Sequence, residues 1–272
     1  MRFALIDNKR VEAQPKQQGI CPICSQPVIA KCGDKKVWHW AHRSITSCDS
    51  WWEPETEWHR NWKNNYPAEW QEETLFDEQT GEKHIADVRT IHKLVIEFQQ
   101  SSIKPQERIS REKFYKNMLW VVDGTRLKND YPRFRKGKDS LFFAKTNNDN
   151  VFIVEFPYEV FPANWLESSV PVIFDFLGLS TDETDKIKNT LWCLVPNQKD
   201  KTFVVKIKRE DFVKITLNFP TLFQPKPQPR PIQPKQQIIL LPPNRYVQRR
   251  GLLIDYVEKQ HFARQYRSKR KK

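Results

Sequence analysis

The sequence predicts an α/β protein: a helix, three strands, a second helix and a fourth strand, preceded by a small Cys/His module and followed by an accessory region. Three observations predict it. Apolar runs of strand length alternate with two helical segments between residues 51 and 124. Cys and His gather early: five of the six histidines lie at or before His92, and a Cys-x-x-Cys pair stands at Cys21 and Cys24. The chain has 272 residues, 38% of them hydrophobic, enough for a substantial core.

The elements follow in order. "RFALID" near the N-terminus has the length of one short strand. The segment "WWEPETEWHRNWKNNY" (51–66) reads as a helix from Pro54, because proline suits a first helical turn and the acids behind it suit the positive end of the dipole. Three strands are expected in "ETLFDE", "HIADVRTI" and "KLVIEFQ", separated by Gly81 and by the polar break at His92 and Lys93. "KPQERISREKFYKN" (104–117) reads as a helix opened by Pro105, and "MLWVVDG" as a fourth strand stopped by Asp123 and Gly124. A crossover helix between the third and fourth strands permits those two to be parallel neighbours.

Further on, "SLFFAK" and "NVFIVEF" suggest a hairpin, "VPVIFDFLGL" and "KTFVVKIK" two buried strands, and "TDETDKIKNTLW" (181–192) a short helix. These elements either complete the same sheet or form a lobe of their own. Residues 219–243 are proline-rich, which predicts an extended linker. The end carries an apolar "LLIDYV" and closes on a basic run, as a tethered helix would. The layout expected is a zinc-ribbon-like module (1–50), a core (51–126), an accessory α+β region (127–218), the linker (219–243) and a basic helical tail (244–272).

Charge narrows the partners. Lys and Arg number 46 against 33 Asp and Glu, a formal net charge of +13, which favours a polyanion and nucleic acid first. No apolar run is long enough to span a bilayer, so no membrane role is expected. The N-terminus turns polar within a few residues, unlike a signal peptide, and five Cys in 272 residues form no disulfide framework. A reducing, cytoplasmic setting is expected. The proline-rich segment or the basic tail offers a surface for a protein partner.

The Cys/His block has metal-ligand spacing. Cys21-Pro-Ile-Cys24 is followed, after fourteen intervening residues, by His39-Trp-Ala-His42. Two thiolates and two imidazoles so spaced suit a tetrahedral, structural Zn²⁺, with Cys32 and Cys48 as substitutes for one ligand.

The acids inside the apolar strands are the second constellation. Asp87 and Glu97 interrupt "IADV" and "LVIEF" in strands joined by a short connection. A hairpin would bring both carboxylates to one end of the sheet, a site for Mg²⁺ or Mn²⁺, with the Phe98 carbonyl as a further ligand. Such a metal polarises a phosphodiester and activates water. Glu55, His59 and Lys63 are spaced i, i+4, i+8 and are expected on one helix face. Glu55 reads as an outer metal contact, with Glu57 as its competitor, His59 as a water- or phosphate-positioning group, and Lys63 as a neutraliser of phosphate charge. Arg111 and Tyr115, also i, i+4, are read as grips on the nucleic-acid backbone.

The blocks "CPIC", "KKVWHWAH", "ETEWHRNWK", "HIADV" and "VIEFQQS", followed by Arg111 and Tyr115, resemble the competence protein CoiA-like family, of the PD-(D/E)XK nuclease superfamily. The resemblance covers residues 20–124; "FPANWLESSVPVIFDFLG" is similar to a segment found downstream in some of these proteins. It implies a restriction-endonuclease-like αβββαβ core and divalent-metal-dependent DNA cleavage in DNA uptake or recombination. It places the family's aspartate on Asp87, its Glu-x-Gln on Glu97 and Gln99, and its helix acid and histidine on Glu55 and His59. Gln99 stands where many of the superfamily have lysine, which leaves the positive role to Lys63 or a second metal. The rivals are a non-catalytic DNA-binding protein that keeps a nuclease-like fold, and an interaction scaffold built on the proline-rich segment.

Overall fold

The computed structural model describes residues 1–43, 48–181, 184–196 and 201–223. The linker beyond residue 223 and the basic tail lie outside the described residues. Among the described residues, no helix is long and apolar enough to cross a membrane.

The N-terminal module is a five-stranded antiparallel sheet. Its strands are β1 (Phe3–Ile6), β2 (Lys9–Glu12), β3 (Gln18–Ile20), β4 (Pro27–Lys31) and β5 (His39–His42), in the order β2-β1-β3-β4-β5. Only β1 was legible. The β1–β2 hairpin turns on Asp7 and Asn8, both at positive φ, which Asp and Asn tolerate. Met1, Ala4, Val28 and Trp40 fill a small core beside Cys21.

The second sheet has nine strands. Helix α1 (Glu57–Lys63) leads into β6 (Gln71–Phe76), β7 (Lys83–Arg89) and β8 (Val95–Gln99), then α2 (Pro105–Tyr115) and β9 (Met118–Asp123). This is the expected helix–three strands–helix–strand order. The strand β8 pairs antiparallel with β7 and parallel with β9, with α2 as the crossover. The first helix starts later than expected: Thr56 caps it, Glu57 opens it, and Pro54 lies outside. The serine/threonine-type cap wins over the proline because its hydroxyl accepts a free N–H of the first turn.

Residues after 126 complete the same sheet. Helix α3 (Asp130–Asp139), strands β10 (Phe143–Lys145) and β11 (Val151–Val154), helices α4 (Pro157–Val160) and α5 (Ala163–Leu166), strands β12 (Val172–Asp175), β13 (Thr190–Leu194) and β14 (Thr202–Lys208), and helix α6 (Arg209–Asn218) follow. The order is β10-β11-β14-β13-β12-β9-β8-β7-β6, and β12 lies parallel to β9. The expected β10–β11 hairpin forms. The helix expected over residues 181–192 does not: its described part is turns leading into β13, where Leu191 and Trp192 are buried in the sheet. Tertiary pairing overrides a weak helical propensity there.

Both faces of the sheet are covered. One apolar layer joins Trp120, Phe134, Val172, Phe174 and Trp192; the other joins Trp58, Trp62, Ile96, Phe98, Leu119 and Phe212. A buried carboxylate fixes α1 against this sheet. Asp175, at the end of β12 with no exposed surface, accepts the indole N–H of Trp58 and of Trp62, each at 3.0 Å. It also accepts the Leu177 backbone N–H at 2.9 Å and pairs with Arg209. The helix that carries His59 and Lys63 is thereby tied to a strand more than a hundred residues away.

Candidate active site and metal centre

Strands β7 and β8 pair as far as Val88 with Ile96, which sets Asp87 opposite Glu97. There the side chains take over hydrogen bonds that a ladder would give to backbone. The Asp87 N–H donates to Glu97 Oε1 at 3.1 Å, and the Phe98 N–H donates to Asp87 Oδ2 at 2.9 Å. The strands split, and two carboxylates fill the split. A third joins from β6: Gln71 pairs with Val88 and Glu73 with Ala86, so Glu72 lies across from Asp87. Glu72 sits at φ +49°, a left-handed conformation uncommon for a non-glycine residue.

Lys63 compensates this row from α1. Its Nζ lies 3.0 Å from Asp87, 3.3 Å from Glu72 and 3.4 Å from Glu55. Burial disfavours its charge, but the three carboxylates outweigh that and hold the ammonium well above the usual lysine range. His59, one turn earlier on the same helix face, is buried, and its Nδ1 meets Thr56 Oγ1 at 2.8 Å. Glu55 lies before the helix, not on it, so the expected three-residue helical stripe holds only for His59 and Lys63. Glu55 still reaches the cluster, with Oε2 2.5 Å from Arg60 and Oε1 buried without a hydrogen bond. Its competitor Glu57 is exposed at the helix start.

The carboxylates titrate in opposite directions. Burial raises Glu97, Asp87 raises it further, and Arg111 offsets only part, leaving it at about 8. Asp87 is lowered: burial opposes its charge, but Lys63 and His59 more than compensate. Glu72 is brought down to about 2, because Lys63 and the backbone N–H groups of Arg2 and Phe3 overcome its burial. Glu72 thereby joins β6 to the first strand of the N-terminal sheet, with 2.7 Å and 3.2 Å contacts to those two N–H groups.

Gln99 is held in one orientation. Its Nε2 donates to Glu53 Oε1 at 2.8 Å and to the Ser101 carbonyl at 3.1 Å, both acceptors, which fixes the amide. Its carbonyl oxygen is left to accept from another donor. Glu53, Glu55, His59, Lys63, Asp87, Glu97 and Gln99 line one cavity of about 60 Å³. That is room for a cation and a few waters, not for a nucleotide.

Arg111 and Tyr115 do not reach outward as backbone grips would. Arg111 is buried, pairs with Glu97 at 3.1 Å and donates to the Trp51 carbonyl at 2.8 Å. Tyr115 is buried, and its hydroxyl donates to the Ile85 carbonyl at 3.1 Å. Both face inward because the buried side of α2 is itself polar; there Arg108 pairs with Glu112 at 2.8 Å. Sequence reasoning missed Glu53 and Glu72. Glu72 finds its partners seventy residues away, and no local pattern marks it.

The thiol cluster lies at the edge of the N-terminal module. Cys21, Cys24, Cys48 and His42 present ligand atoms all within 4.8 Å of one another. Cys21 and Cys48 Sγ are 3.6 Å apart, and Cys24 Sγ is 3.2 Å from His42 Nε2. A tetrahedron with Zn–S bonds of about 2.3 Å has edges of about 3.7 Å, so the set suits zinc. Burial, then the neighbouring Cys21, push the Cys48 thiol up to about 12. The Cys21–Cys24 knuckle is closed by Ser25 N–H to the Cys21 carbonyl at 3.0 Å and Cys21 N–H to the Gln26 carbonyl at 2.9 Å.

His39 is a correction. It lies outside the cluster, and Cys48 takes the place expected for it. "HWAH" is the strand β5, so side chains three apart point to opposite faces; His42 shares a face with the buried Trp40, and His39 does not. His39 Nδ1 instead meets the Val37 carbonyl at 2.9 Å.

Residues 5–50 match the family model described as competence protein CoiA, N-terminal domain. Residues 61–171 match the one described as competence protein CoiA, nuclease-like domain. The first span contains all four residues of the thiol cluster. The second contains Lys63, Glu72, Asp87, Glu97 and Gln99, while Glu53, Glu55 and His59 fall between the two. No curated protein and no solved structure matches the chain.

Proposed function

Because the chain belongs to the competence protein CoiA family, we propose that it is a divalent-metal-dependent nuclease hydrolysing DNA phosphodiester bonds, built on a restriction-endonuclease-like PD-(D/E)XK core. The observation that carries this reading is the strand split at Asp87 and Glu97, with the Lys63 ammonium 3.0 Å from Asp87. Two carboxylates whose mutual repulsion and burial keep Glu97 protonated suit a divalent cation, which would remove that conflict. The buried Glu55 oxygen without a hydrogen bond suits an outer contact through water.

Asp87 and Glu97 would hold Mg²⁺ or Mn²⁺, together with the Phe98 carbonyl. The cation, when bound, would polarise the scissile phosphate and acidify a water molecule. Lys63 supplies the charge that the neutral Gln99 lacks, and reaches the same site from α1 instead of from the strand. Gln99 accepts a hydrogen bond from water through its fixed carbonyl oxygen and so orients it. His59, with Nδ1 engaged by Thr56, leaves Nε2 to a water or a phosphate oxygen. Arg111 and Tyr115 position the site: Arg111 holds Glu97, and Tyr115 fastens α2 to β7. Zn²⁺ on Cys21, Cys24, His42 and Cys48 has a structural part, since four protein ligands leave no open position. DNA uptake or recombination is the corresponding cellular setting.

The test is incubation of the zinc-loaded full chain with single- and double-stranded DNA, with and without Mg²⁺ or Mn²⁺, beside Asp87→Ala and Glu97→Ala. Expected is metal-dependent cleavage that both variants lose. Binding without cleavage under any metal would leave the non-catalytic DNA-binding protein as the reading.

A further inference from the structure

A second charged region lies at the far side of the nine-stranded sheet. Lys138 of α3, Lys186, and Lys206 and Lys208 of β14 line a groove of about 800 Å³, together with Asn148 and Asn150. Two of the ammonium groups share one aromatic ring. Lys138 Nζ lies 4.9 Å and Lys206 Nζ 6.0 Å from the centre of the same Phe152 ring. Two acids share the lining, Asp139 and Asp211; Asp139 pairs with Arg135 at 3.7 Å, and the four lysines still outnumber the two acids. Among the described residues, none of the four lysines forms an ion pair. Burial, then the like charge of Lys206, pull Lys138 below the usual lysine range. A groove in which four lysines outnumber two acids and form no ion pair suits a polyanion, and the asparagine amides add neutral donors to phosphate oxygens.

The register relates this groove to the carboxylate site. Gln99 pairs with Val122, Val122 with Phe174, Phe174 with Trp192 and Trp192 with Lys206. Paired residues on neighbouring strands point to the same face, so Gln99 and Lys206 stand in one row on one face. Four strand spacings separate them, about 19 Å. Val122, Phe174 and Trp192, which lie between them, are core residues, so the row measures the separation of the two regions and is not itself a path for a ligand.

We propose that this lysine groove binds the phosphate backbone of the DNA that enters the carboxylate site. The proposal rests on the nuclease reading for its ligand class but not for its test. A phosphate held there contributes affinity and register without reading sequence.

The test measures binding without cleavage. A fluorescein-labelled 20-nucleotide single strand and its duplex are titrated with the zinc-loaded full chain, without added Mg²⁺, from 50 to 200 mM NaCl. The triple variant Lys186→Gln, Lys206→Gln, Lys208→Gln is compared with wild type by anisotropy, after a thermal melt shows it folded. Three lost phosphate contacts should reduce the slope of log K against log salt by about 2 on the single strand and about 2.7 on the duplex, and weaken binding roughly 10- to 50-fold at 0.15 M salt. The double variant Lys206→Gln, Lys208→Gln should show about two-thirds of that slope change, and it replaces the triple variant if the latter does not fold. Unchanged slope and affinity, or a wild type that binds neither DNA, would overturn the proposal. The two readings fail separately. A wild type that never cleaves but shows the slope change loses only the nuclease. A triple variant that binds and cleaves as wild type does loses only the groove.

Discussion

The thiol cluster and the carboxylate cluster are both groups of potential metal ligands, but their surroundings differ. Cys21, Cys24, His42 and Cys48 converge within 4.8 Å, and burial and their neighbours in the cluster raise the Cys21 and Cys48 thiols. Glu55, Glu72, Asp87 and Glu97 are interleaved with Lys63, Arg60 and Arg111. A set of acids already compensated by buried cations is folded before any metal arrives. A set of clustered thiols gains its charge balance on binding a metal. On the proposed reading the first cluster holds the chain together and the second serves chemistry, although both look like metal sites when seen as sequence.

This contrast can be broken at several points. The largest expected effect is on the N-terminal module. Cys24→Ala should lose stoichiometric zinc and the cooperative unfolding of residues 1–43, read by elemental analysis and hydrogen exchange, because structural zinc contributes on the order of 10 kcal/mol in small modules. A variant that keeps both would show that the sheet needs no metal. Next, Lys63→Met should lower stability by about 3–5 kcal/mol in denaturant titration, since it leaves three carboxylates without their shared cation. Asp87→Asn removes one of those carboxylates and should leave stability nearly unchanged.

The pH response separates the clusters further. Without divalent metal, Glu97 keeps its proton in the folded chain up to about pH 8, against 4.5 for an ordinary glutamate. Between those values the folded state binds more protons than the unfolded one, so stability falls as pH rises. Glu97→Gln should flatten that part of the profile, and an unaltered slope would contradict the assignment. The smallest effect belongs to His39→Ala. It should keep zinc and change stability by no more than about 0.5 kcal/mol, whereas His42→Ala should lose metal.

The legible part of the molecule was the part with local pattern. The strand–strand–strand–helix–strand run from β6 to β9 follows from apolar runs and from proline at the start of α2, and the opposition of Asp87 and Glu97 follows from a short connection between two strands. What was not legible depends on distant partners or on an element's type. His39 was misplaced because "HWAH" gives no sign of being a strand until it pairs with β4. Tyr115 was read as exposed because its hydroxyl acceptor, the Ile85 carbonyl, is thirty residues away. Asp175 passed unnoticed in an apolar run, although its bonds to Trp58 and Trp62 set where α1 lies. Glu72 depends on a left-handed backbone and on the first residues of the chain.

The most direct measurement is single-turnover cleavage of labelled DNA in Mg²⁺ by wild type and Asp87→Asn, with zinc content and melting temperature recorded for both. Expected is cleavage by wild type and a loss of about a thousandfold or more in the variant, as removal of a metal ligand implies, with zinc content and melting temperature unchanged. Cleavage that persists in Asp87→Asn, or its absence from zinc-loaded wild type in both Mg²⁺ and Mn²⁺, would contradict a nuclease centred on the split between β7 and β8.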